Sequence, residues 1–353
     1  MEQCLGAVLG ALIGDSIGSK LEFLGKVPTT DQVEQAMLMP GGGHWGVSPG
    51  QVTDDGEETV SLLRGLLQME QSQTTTEEDR TTAVFHADFL AASYMYARWV
   101  ESKPFDMGNA TNAAFGFTAK CAHVTADKMM AKAQVNLRSK ANGSLMRCTP
   151  LALVVAAYWR DHPDQDPEQL LRVAFAVAKM DCSLSHPNPS VVLCVAVYVS
   201  AVAHLISVPL DGDGALNIAR SMLRYHSIVV TRNGKDKAEV AAGIEVSTWL
   251  ADVVEGNMLQ PILRPRRLRQ DRVSTSFFAP HEEIRLPSRR YGNDFWRGRL
   301  RHQLVHRWGH DRRAAWDIQN SSYFFGESSL MHNKREISPP APCVCCTGTK
   351  LSC

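Results

Sequence analysis

The segment Thr53-Asp54-Asp55 combines a hydroxyl group with two adjacent carboxylates at the start of an amphipathic run. Hard oxygen ligands of this kind suit a divalent cation such as Mg²⁺, so the segment is a candidate metal site. The same residues also admit a structural explanation. Asp54 with Glu57 three positions later forms a capping box, and acidic residues in a first turn complement the helix dipole. The segment alone leaves both explanations open.

Glu22 is a second candidate, because it stands between the apolar residues Leu21 and Phe23, close behind the first apolar helix of the chain. Asp15 stands where that helix is expected to end. A carboxylate at the mouth of a buried helix is a candidate site residue, although a solvated surface glutamate has the same sequence environment.

The loop of residues 40–50 is rich in glycine, and we expect it to be flexible. Glycines such as Gly42 and Gly43 allow backbone amides to approach a phosphate closely. The loop lacks the GxGxxG spacing and the Lys-Ser/Thr ending of the known nucleotide-binding loops, so the signal is weak.

Two later turns precede apolar helices and can present hydrogen-bond donors to a ligand. Asn142-Gly143-Ser144 leads towards the helix that begins near Pro150, and His186 precedes the apolar run of residues 191–206. A helix start needs the same small polar residues for its own backbone. A lone histidine can likewise be structural, so a structural explanation stands beside each candidate.

Helical periodicity dominates residues 1–256, and no convincing strand-like alternation occurs there. The apolar residues between Leu5 and Ile13 follow the spacing of one helix face, and the opposite side carries glycine and alanine. This pattern predicts a central helix that is buried on all sides. Further helices are predicted over residues 85–100, 110–121, 151–158, 170–180, 191–206, 215–225 and 238–254. The predicted fold is therefore an all-α, compact, orthogonal multi-helix domain.

The charge is unevenly distributed along the 353 residues, of which 44% are hydrophobic and 21% charged. Residues 1–256 carry a formal net charge of −9 and residues 257–353 one of +9. This asymmetry predicts a helical domain over 1–256 and an Arg-rich, divergent, largely disordered tail over 257–353. Arginines among aromatic residues can bind nucleic acid, but no recognition motif occurs, so nucleic acid is not an expected partner.

Nine cysteines, an odd number, and the lack of a secretory signal favour a reducing compartment. The cluster that begins Cys343-Val344-Cys345-Cys346 lacks the pair spacing of a structural zinc site. The apolar stretch of residues 5–13 has no basic region before it and is too short to span a bilayer. We therefore expect a cytoplasmic protein without a membrane segment.

Taken in order, these turns resemble the ADP-ribosylglycohydrolase family, which includes the dinitrogenase-reductase activating glycohydrolase. The resemblance covers about 190 residues and rests on motifs in five regions of the chain. These motifs are Gly6-Ala7-Val8-Leu9-Gly10-Ala11-Leu12-Ile13-Gly14-Asp15-Ser16-Ile17-Gly18 with Glu22-Phe23, Val52-Thr53-Asp54-Asp55-Gly56-Glu57, Pro104-Phe105-Asp106-Met107-Gly108-Asn109, Asn142-Gly143-Ser144-Leu145-Met146-Arg147 and Ser185-His186-Pro187-Asn188-Pro189.

The resemblance implies a mostly helical fold with a binuclear Mg²⁺ site in a central cleft. It also implies hydrolysis of the glycosidic bond between ADP-ribose and a protein side chain or related acceptor. The expected partner is then an ADP-ribosylated protein or an ADP-ribose-containing small molecule. The roles implied by position are metal ligands at Thr53, Asp54 and Asp55, catalytic carboxylates at Glu22 and Asp55, and substrate contacts at Gly42, Gly43, Asn142, Gly143, Ser144, Met146 and His186.

One part of the family pattern is missing from this sequence. The family's other metal ligands come from a late Asp-x-Asp-Thr motif, whereas Asp211-Gly212-Asp213 is followed by Gly214 and precedes helices that should come before the motif. The alternative to an enzyme is therefore a catalytically impaired ADP-ribose-binding member, or a truncated isoform that lacks half of the metal site.

Overall fold

A computed structural model describes residues 1–25, 28–68, 91–121, 123–234 and 236–255. Within these residues the regular secondary structure is helical, and a single bridge between Gly42 and Val47 is the only strand-type pairing. The α-helices are α1 (Glu2–Leu21), α2 (Thr30–Ala36), α3 (Asp54–Gln68), α4 (described over 91–101), α5 (Asn109–Phe115), α6 (Ala126–Ala133), α7 (Thr149–Asp161), α8 (Pro167–Ser183), α9 (Pro189–Ser207), α10 (Gly212–Arg232) and α11 (Lys237–Val254). The all-α prediction is confirmed.

The helix at the centre of the core is α9, whose sequence contains no Asp, Glu, Lys or Arg. It packs against α7, α8, α10, α11 and α1. Pro189 occupies its first turn, and the Asn188 side chain accepts a hydrogen bond from the Ser190 amide at 3.0 Å. This cap fixes where α9 begins. The uncharged sequence of α9 allows the helix to be buried on nearly every side.

The prediction for the first helix was wrong in two respects. The helix does not end before Asp15 but continues to Leu21, because the Asp15 side chain serves another helix and leaves the backbone of α1 unbroken. It is also not buried on all sides, since only Ala7, Val8, Ser16 and Ser19 are buried. A side chain added at Gly14 or at Gly18 would face open space.

In the part of the chain that the structure describes, two helices, α1 and α9, are long and apolar enough to cross a membrane by length and composition. The first apolar stretch, residues 5–13, was predicted to be too short to span a bilayer. It is part of the longer helix α1, which has sufficient length. Most of the apolar window of α9 (67%) is buried inside the protein, as expected of a core helix. The predicted absence of a membrane segment stays a prediction.

The helices predicted after residue 100 are present with shifted ends. The stretch predicted as one helix over 110–121 divides at Gly116 into α5 and a 3-10 helix, Gly116–Lys120. The Asp211 turn begins α10, where its side chain accepts a hydrogen bond from the Gly214 amide at 2.9 Å. The predicted tail over 257–353 lies outside the described residues.

Candidate active site

The carboxylate of Asp15 holds the Thr53 turn in place. Its Oδ2 atom accepts hydrogen bonds from the Thr53 amide at 2.7 Å and the Gly56 amide at 2.8 Å. Its Oδ1 atom accepts a hydrogen bond from the Thr53 hydroxyl at 2.6 Å. The amides of Thr53 and Gly56 lie at the start of α3, where a helix has no backbone acceptors for them. Asp15, a residue of α1, therefore caps α3 across the contact between the two helices.

The predicted capping box of Asp54 and Glu57 is therefore wrong. Glu57 does not reach back to the start of its helix, and its Oε2 atom accepts a hydrogen bond from the Trp99 indole at 2.7 Å. Asp15 instead accepts hydrogen bonds from the amides of Thr53 and Gly56, and the Asp54 carboxylate accepts them from the amides of Gly108 and of Asp54 itself. The other structural explanation remains, because Asp54, Asp55 and Glu57 lie in the first turn of α3, where negative charge complements the helix dipole.

The electrostatics of this turn are unfavourable in the absence of a cation. Burial, followed by the charges of Asp106 and Asp15, raises the pKa of Asp54 to about 6. Burial, followed by the charges of Asp15, Asp54 and Glu22, raises the pKa of Asp55 well above its ordinary value. Desolvation and repulsion both penalise the charged carboxylates, so a bound cation would lower the free energy of this region.

The carboxylate of Asp106 is a member of this acidic group that sequence reasoning left without a role. It lies in the 104–109 loop, whose Gly108 amide donates a hydrogen bond to Asp54. Burial raises the pKa of Asp106, and its charge acts on Asp15, Asp54 and Glu57. A carboxylate in a proline- and glycine-containing loop between two helices was the available signal.

The donor chemistry of the turn fits Mg²⁺. Thr53, Asp54 and Asp55 offer a hydroxyl and two carboxylates, and Mg²⁺ usually keeps several waters when few protein ligands are present. Among the described residues no three His, Cys, Asp or Glu side chains are grouped to hold a metal ion by themselves. Asp211 is instead used as a helix cap and lies 2.8 Å from His204 Nε2, which agrees with its exclusion as a metal motif.

The second predicted turn brings together residues that lie more than forty positions apart. The Asn142 carbonyl accepts hydrogen bonds from the amides of Leu145 at 2.8 Å and Met146 at 3.0 Å, while Gly143 and Ser144 are buried inside the turn. A Cβ atom at Gly143 would lie 2.5 Å from Cε1 of His186. The predicted substrate residues Gly143 and His186 are therefore direct neighbours, and only glycine fits beside the ring.

A fully buried Arg147 connects α3 and α8 with the segment that carries Ser185. Its guanidinium donates hydrogen bonds to Glu58 at 2.7 Å, to Asp181 at 3.1 Å and to the Ser185 hydroxyl at 2.8 Å. The guanidinium carbon also lies 4.3 Å from the centroid of the Tyr96 ring. Burial raises the pKa of Glu58, and the charge of Arg147 opposes that effect. Sequence reasoning missed this network, although an arginine beside a buried helix start must find partners.

The glycine-rich loop forms a defined turn rather than the predicted flexible loop. Gly42 and Val47 exchange hydrogen bonds of 2.7 and 3.1 Å, so the Gly42 amide already has an acceptor. A Cβ atom at Gly43 would lie 2.2 Å from the Ser19 carbonyl oxygen, and both glycines adopt a positive φ. Packing against the end of α1 explains these glycines, and the phosphate-binding role assigned to them stays a prediction.

Glu22 and Met146 lie near the other candidate residues, but their positions do not show what they do. Glu22 is exposed at the end of α1, where its charge acts on Asp55. Met146 is half-buried in the second turn and lies next to Arg147 in the chain. Neither position assigns a chemical role, so the catalytic and substrate-binding roles of these two residues stay predictions.

Comparison with known proteins places the chain in a class of helical hydrolases. The sequence model of the family described as ADP-ribosylglycohydrolase matches residues 1–286. The chain therefore belongs to the ADP-ribosylglycohydrolase family, as the resemblance of its motifs predicted.

Three relatives carry related names. A protein of Acanthamoeba polyphaga mimivirus named as an ADP-ribosyl glycohydrolase is 27% identical, over 63% of this chain and 60% of its own. The ADP-ribosyl-dinitrogen reductase glycohydrolase of Rhodospirillum rubrum is 29% identical, over 45% and 47%. The ADP-ribosylarginine hydrolase of Pseudomonas putida (strain GB-1) is 24% identical, over 72% and 60%. The chain thus spans about half to three fifths of the length of these relatives.

Among solved structures, one titled ADP-ribosylglycohydrolase-related protein complex aligns with 86% of this chain and 86% of its own, with a TM-score of 0.46 and 22% sequence identity.

Asp15→Ala should lower the free energy of unfolding by about 1–3 kcal/mol, because it removes the oxygen atom that accepts hydrogen bonds from the amides of Thr53 and Gly56. Urea denaturation measures the change. Asp31→Ala, at an exposed position in the first turn of α2, is the matched control and should have little effect. Equal stability of both variants would contradict the assignment of Asp15 as the cap of α3.

Alanine substitutions at two glycines should have opposite effects. Gly143→Ala should destabilise the protein by roughly 1–3 kcal/mol, because the new methyl group overlaps the buried His186 ring. Gly14→Ala, in a helix with open space beside it, should stabilise the protein by about 0.5–1 kcal/mol. Thermal and urea unfolding would reveal both signs, and a stabilised Gly143→Ala variant would contradict the close contact with His186.

The free energy of unfolding of the wild type should fall with acidification relative to that of a variant without His186. Burial, followed by the charge of Arg147, lowers the pKa of His186 from 6.5 to about 3. Below pH 6.5 the unfolded chain binds a proton that the folded protein does not bind. This contribution to stability is therefore lost as the pH falls from 6.5 towards 3, by roughly 1.4 kcal/mol per pH unit.

The test compares urea denaturation of the wild type with that of His186→Gln between pH 7.5 and pH 5. Below pH 6.5 the free energy of unfolding of the wild type should fall relative to that of the variant. His123→Gln, at an exposed position, should keep the wild-type slope. Identical slopes for the wild type and His186→Gln would contradict a neutral, buried His186.

Proposed function

We propose that this protein hydrolyses the glycosidic bond between ADP-ribose and a protein side chain or a related acceptor. The observation that carries the proposal is the Thr53-Asp54-Asp55 turn, whose backbone amides donate hydrogen bonds to Asp15 while the charges of its own carboxylates repel one another. Arg147 joins Glu58 of α3, the helix that begins with this turn, to Ser185 beside His186. Membership of the family and the names of the three relatives support this reaction class.

Each group would have a definite task in the reaction. Thr53, Asp54 and Asp55 would hold Mg²⁺, which would orient hydroxyl groups of the ribose and lower the pKa of a bound water. Asp55, the expected catalytic carboxylate of this turn, would accept a proton from the water that attacks the ribose. Glu22, whose charge already acts on Asp55, would lie at the edge of the reacting groups. The Asn142–Met146 turn and His186 would hold the ADP-ribose.

We further propose that the acceptor is an arginine side chain. Four aromatic residues, Phe23, His44, Trp45 and Phe105, contact one another, with ring centroids 4.8 to 6.1 Å apart. Glu22 and Asp106 directly adjoin this group in the chain, and all four rings are exposed. A guanidinium group pairs with carboxylates and stacks on aromatic faces. The arginine-specific name of the Pseudomonas putida relative agrees with this choice.

The proposed setting is the cytoplasm, without a nucleic-acid partner. The five described cysteines, Cys4, Cys121, Cys148, Cys182 and Cys194, are free thiols, as a reducing compartment would keep them. The expected partner is an ADP-ribosylated protein or a small molecule that contains ADP-ribose.

Release of free ADP-ribose from arginine-modified and serine-modified proteins tests the activity. The wild type should release it from the arginine-linked substrate in Mg²⁺ and not with a chelator. Asp55→Ala should reduce the rate by about 10²-fold or more, because it removes a metal ligand and proton acceptor. Asp127→Ala, at an exposed position in α6, is the matched control and should keep the wild-type rate.

The outcomes separate the alternatives. No release from either substrate would overturn the hydrolase proposal and favour the impaired ADP-ribose-binding member. Release from the serine-linked protein alone would overturn the choice of acceptor and leave the reaction class intact. Wild-type activity in Asp55→Ala would show that the Thr53-Asp54-Asp55 turn is not the metal site.

A further inference from the structure

The His186 ring has one satisfied and one unsatisfied nitrogen. Its Nδ1 atom lies 2.8 Å from the Ser185 hydroxyl oxygen. Its Nε2 atom is buried and has no hydrogen-bond partner among the residues that the structure describes. A buried polar atom without a partner costs roughly 1–3 kcal/mol, so the Nε2 atom is expected to meet a partner that binds there.

The proton on the Ser185 hydroxyl decides which form of the ring is present. The Ser185 oxygen accepts a hydrogen bond from Nη2 of Arg147 at 2.8 Å. A guanidinium group has donors only, so it cannot take the hydroxyl proton. In the described part of the chain the remaining polar neighbour of this hydroxyl is Nδ1 of His186. The hydroxyl therefore donates to Nδ1, and the ring proton must reside on Nε2.

The positive charge of Arg147 stands at the start of this series of hydrogen bonds, which runs from Arg147 through Ser185 to His186. Arg147 pairs with Glu58 and Asp181, which hold its guanidinium against Ser185. Successive hydrogen bonds from a cation polarise one another, so Arg147 strengthens the donation from Ser185 to His186. The same positive charge, together with burial, lowers the pKa of His186 and keeps the ring neutral.

We infer that Ser185 and Arg147 are positioning residues that hold His186 as a neutral Nε2–H donor, directed at an acceptor oxygen of the bound ADP-ribose. The inference rests on the proposed function for the identity of the ligand. Gly143 supports it, because a Cβ atom there would lie 2.7 Å from Nε2 and would fill the space beside the donor. The chemical class that Nε2–H recognises is an oxygen acceptor, such as a phosphate or a hydroxyl oxygen.

Nitrogen NMR of the histidine-labelled full chain tests the inference in the absence of ligand. His186→Gln identifies the His186 signals by their loss. In the wild type, long-range proton–nitrogen correlations should show a protonated Nε2 and an unprotonated Nδ1. Ser185→Ala removes one oxygen atom and should give a mixture of tautomers or the Nδ1–H form. Ser183→Ala, which removes a half-buried hydroxyl that lies two residues away along the chain and donates to the Lys179 carbonyl, should leave the wild-type pattern unchanged.

Calorimetric titration with ADP-ribose completes the test. Ser185→Ala should bind about tenfold more weakly than the wild type, because the donor is no longer held in one form. A wild-type Nδ1–H tautomer, or an unchanged tautomer in folded Ser185→Ala, would overturn the inference. Equal affinity of the wild type and Ser185→Ala would overturn the link to ligand binding. If the wild type itself binds no ADP-ribose, the proposed function fails, and the NMR result still decides the tautomer.

Discussion

The buried ion pairs of Arg147 are the interaction on which the site depends. One guanidinium, with no exposed surface, joins Glu58 of α3 to Asp181 of α8 and to the turn that carries Ser185. Such a group is weak evidence for net stability, because desolvation of the charges offsets their attraction. Loss of one partner nevertheless costs about 3–5 kcal/mol, since an uncompensated charge remains buried. The network therefore holds the turns in one arrangement more than it stabilises the fold.

Asp15 adds a second constraint of the same type at the other side of the site. Its carboxylate fixes the start of α3 from a neighbouring helix, which leaves Asp54 and Asp55 crowded together with Asp106. Because the turn is held in place, these carboxylates stay close to one another, and the repulsion between their charges is unfavourable. A divalent cation would remove that cost, which is why we propose Mg²⁺ for the reaction.

Much of the fold could be predicted from sequence, because long apolar helices such as α9 produce an unambiguous period. The Thr53-Asp54-Asp55 turn, Gly143 and His186 were also chosen as candidates from sequence, since their residue types stand out between apolar runs, but the contact between Gly143 and His186 was not predicted. The roles of Asp15 and Arg147 were not predicted. Both act through partners that are remote in the chain, and no local pattern states which distant amide or carboxylate a buried charge will meet. The same limit explains the wrong cap at Asp54.

The central claim is that Arg147 arranges the site for ADP-ribose, and one titration tests it most directly. Lysine keeps the charge of Arg147 but cannot contact Glu58, Asp181 and Ser185 together with one planar fork. Calorimetry with ADP-ribose should show saturable binding to the full wild-type chain and at least about tenfold weaker binding to a folded Arg147→Lys variant. Equal affinity of the two proteins would contradict the account.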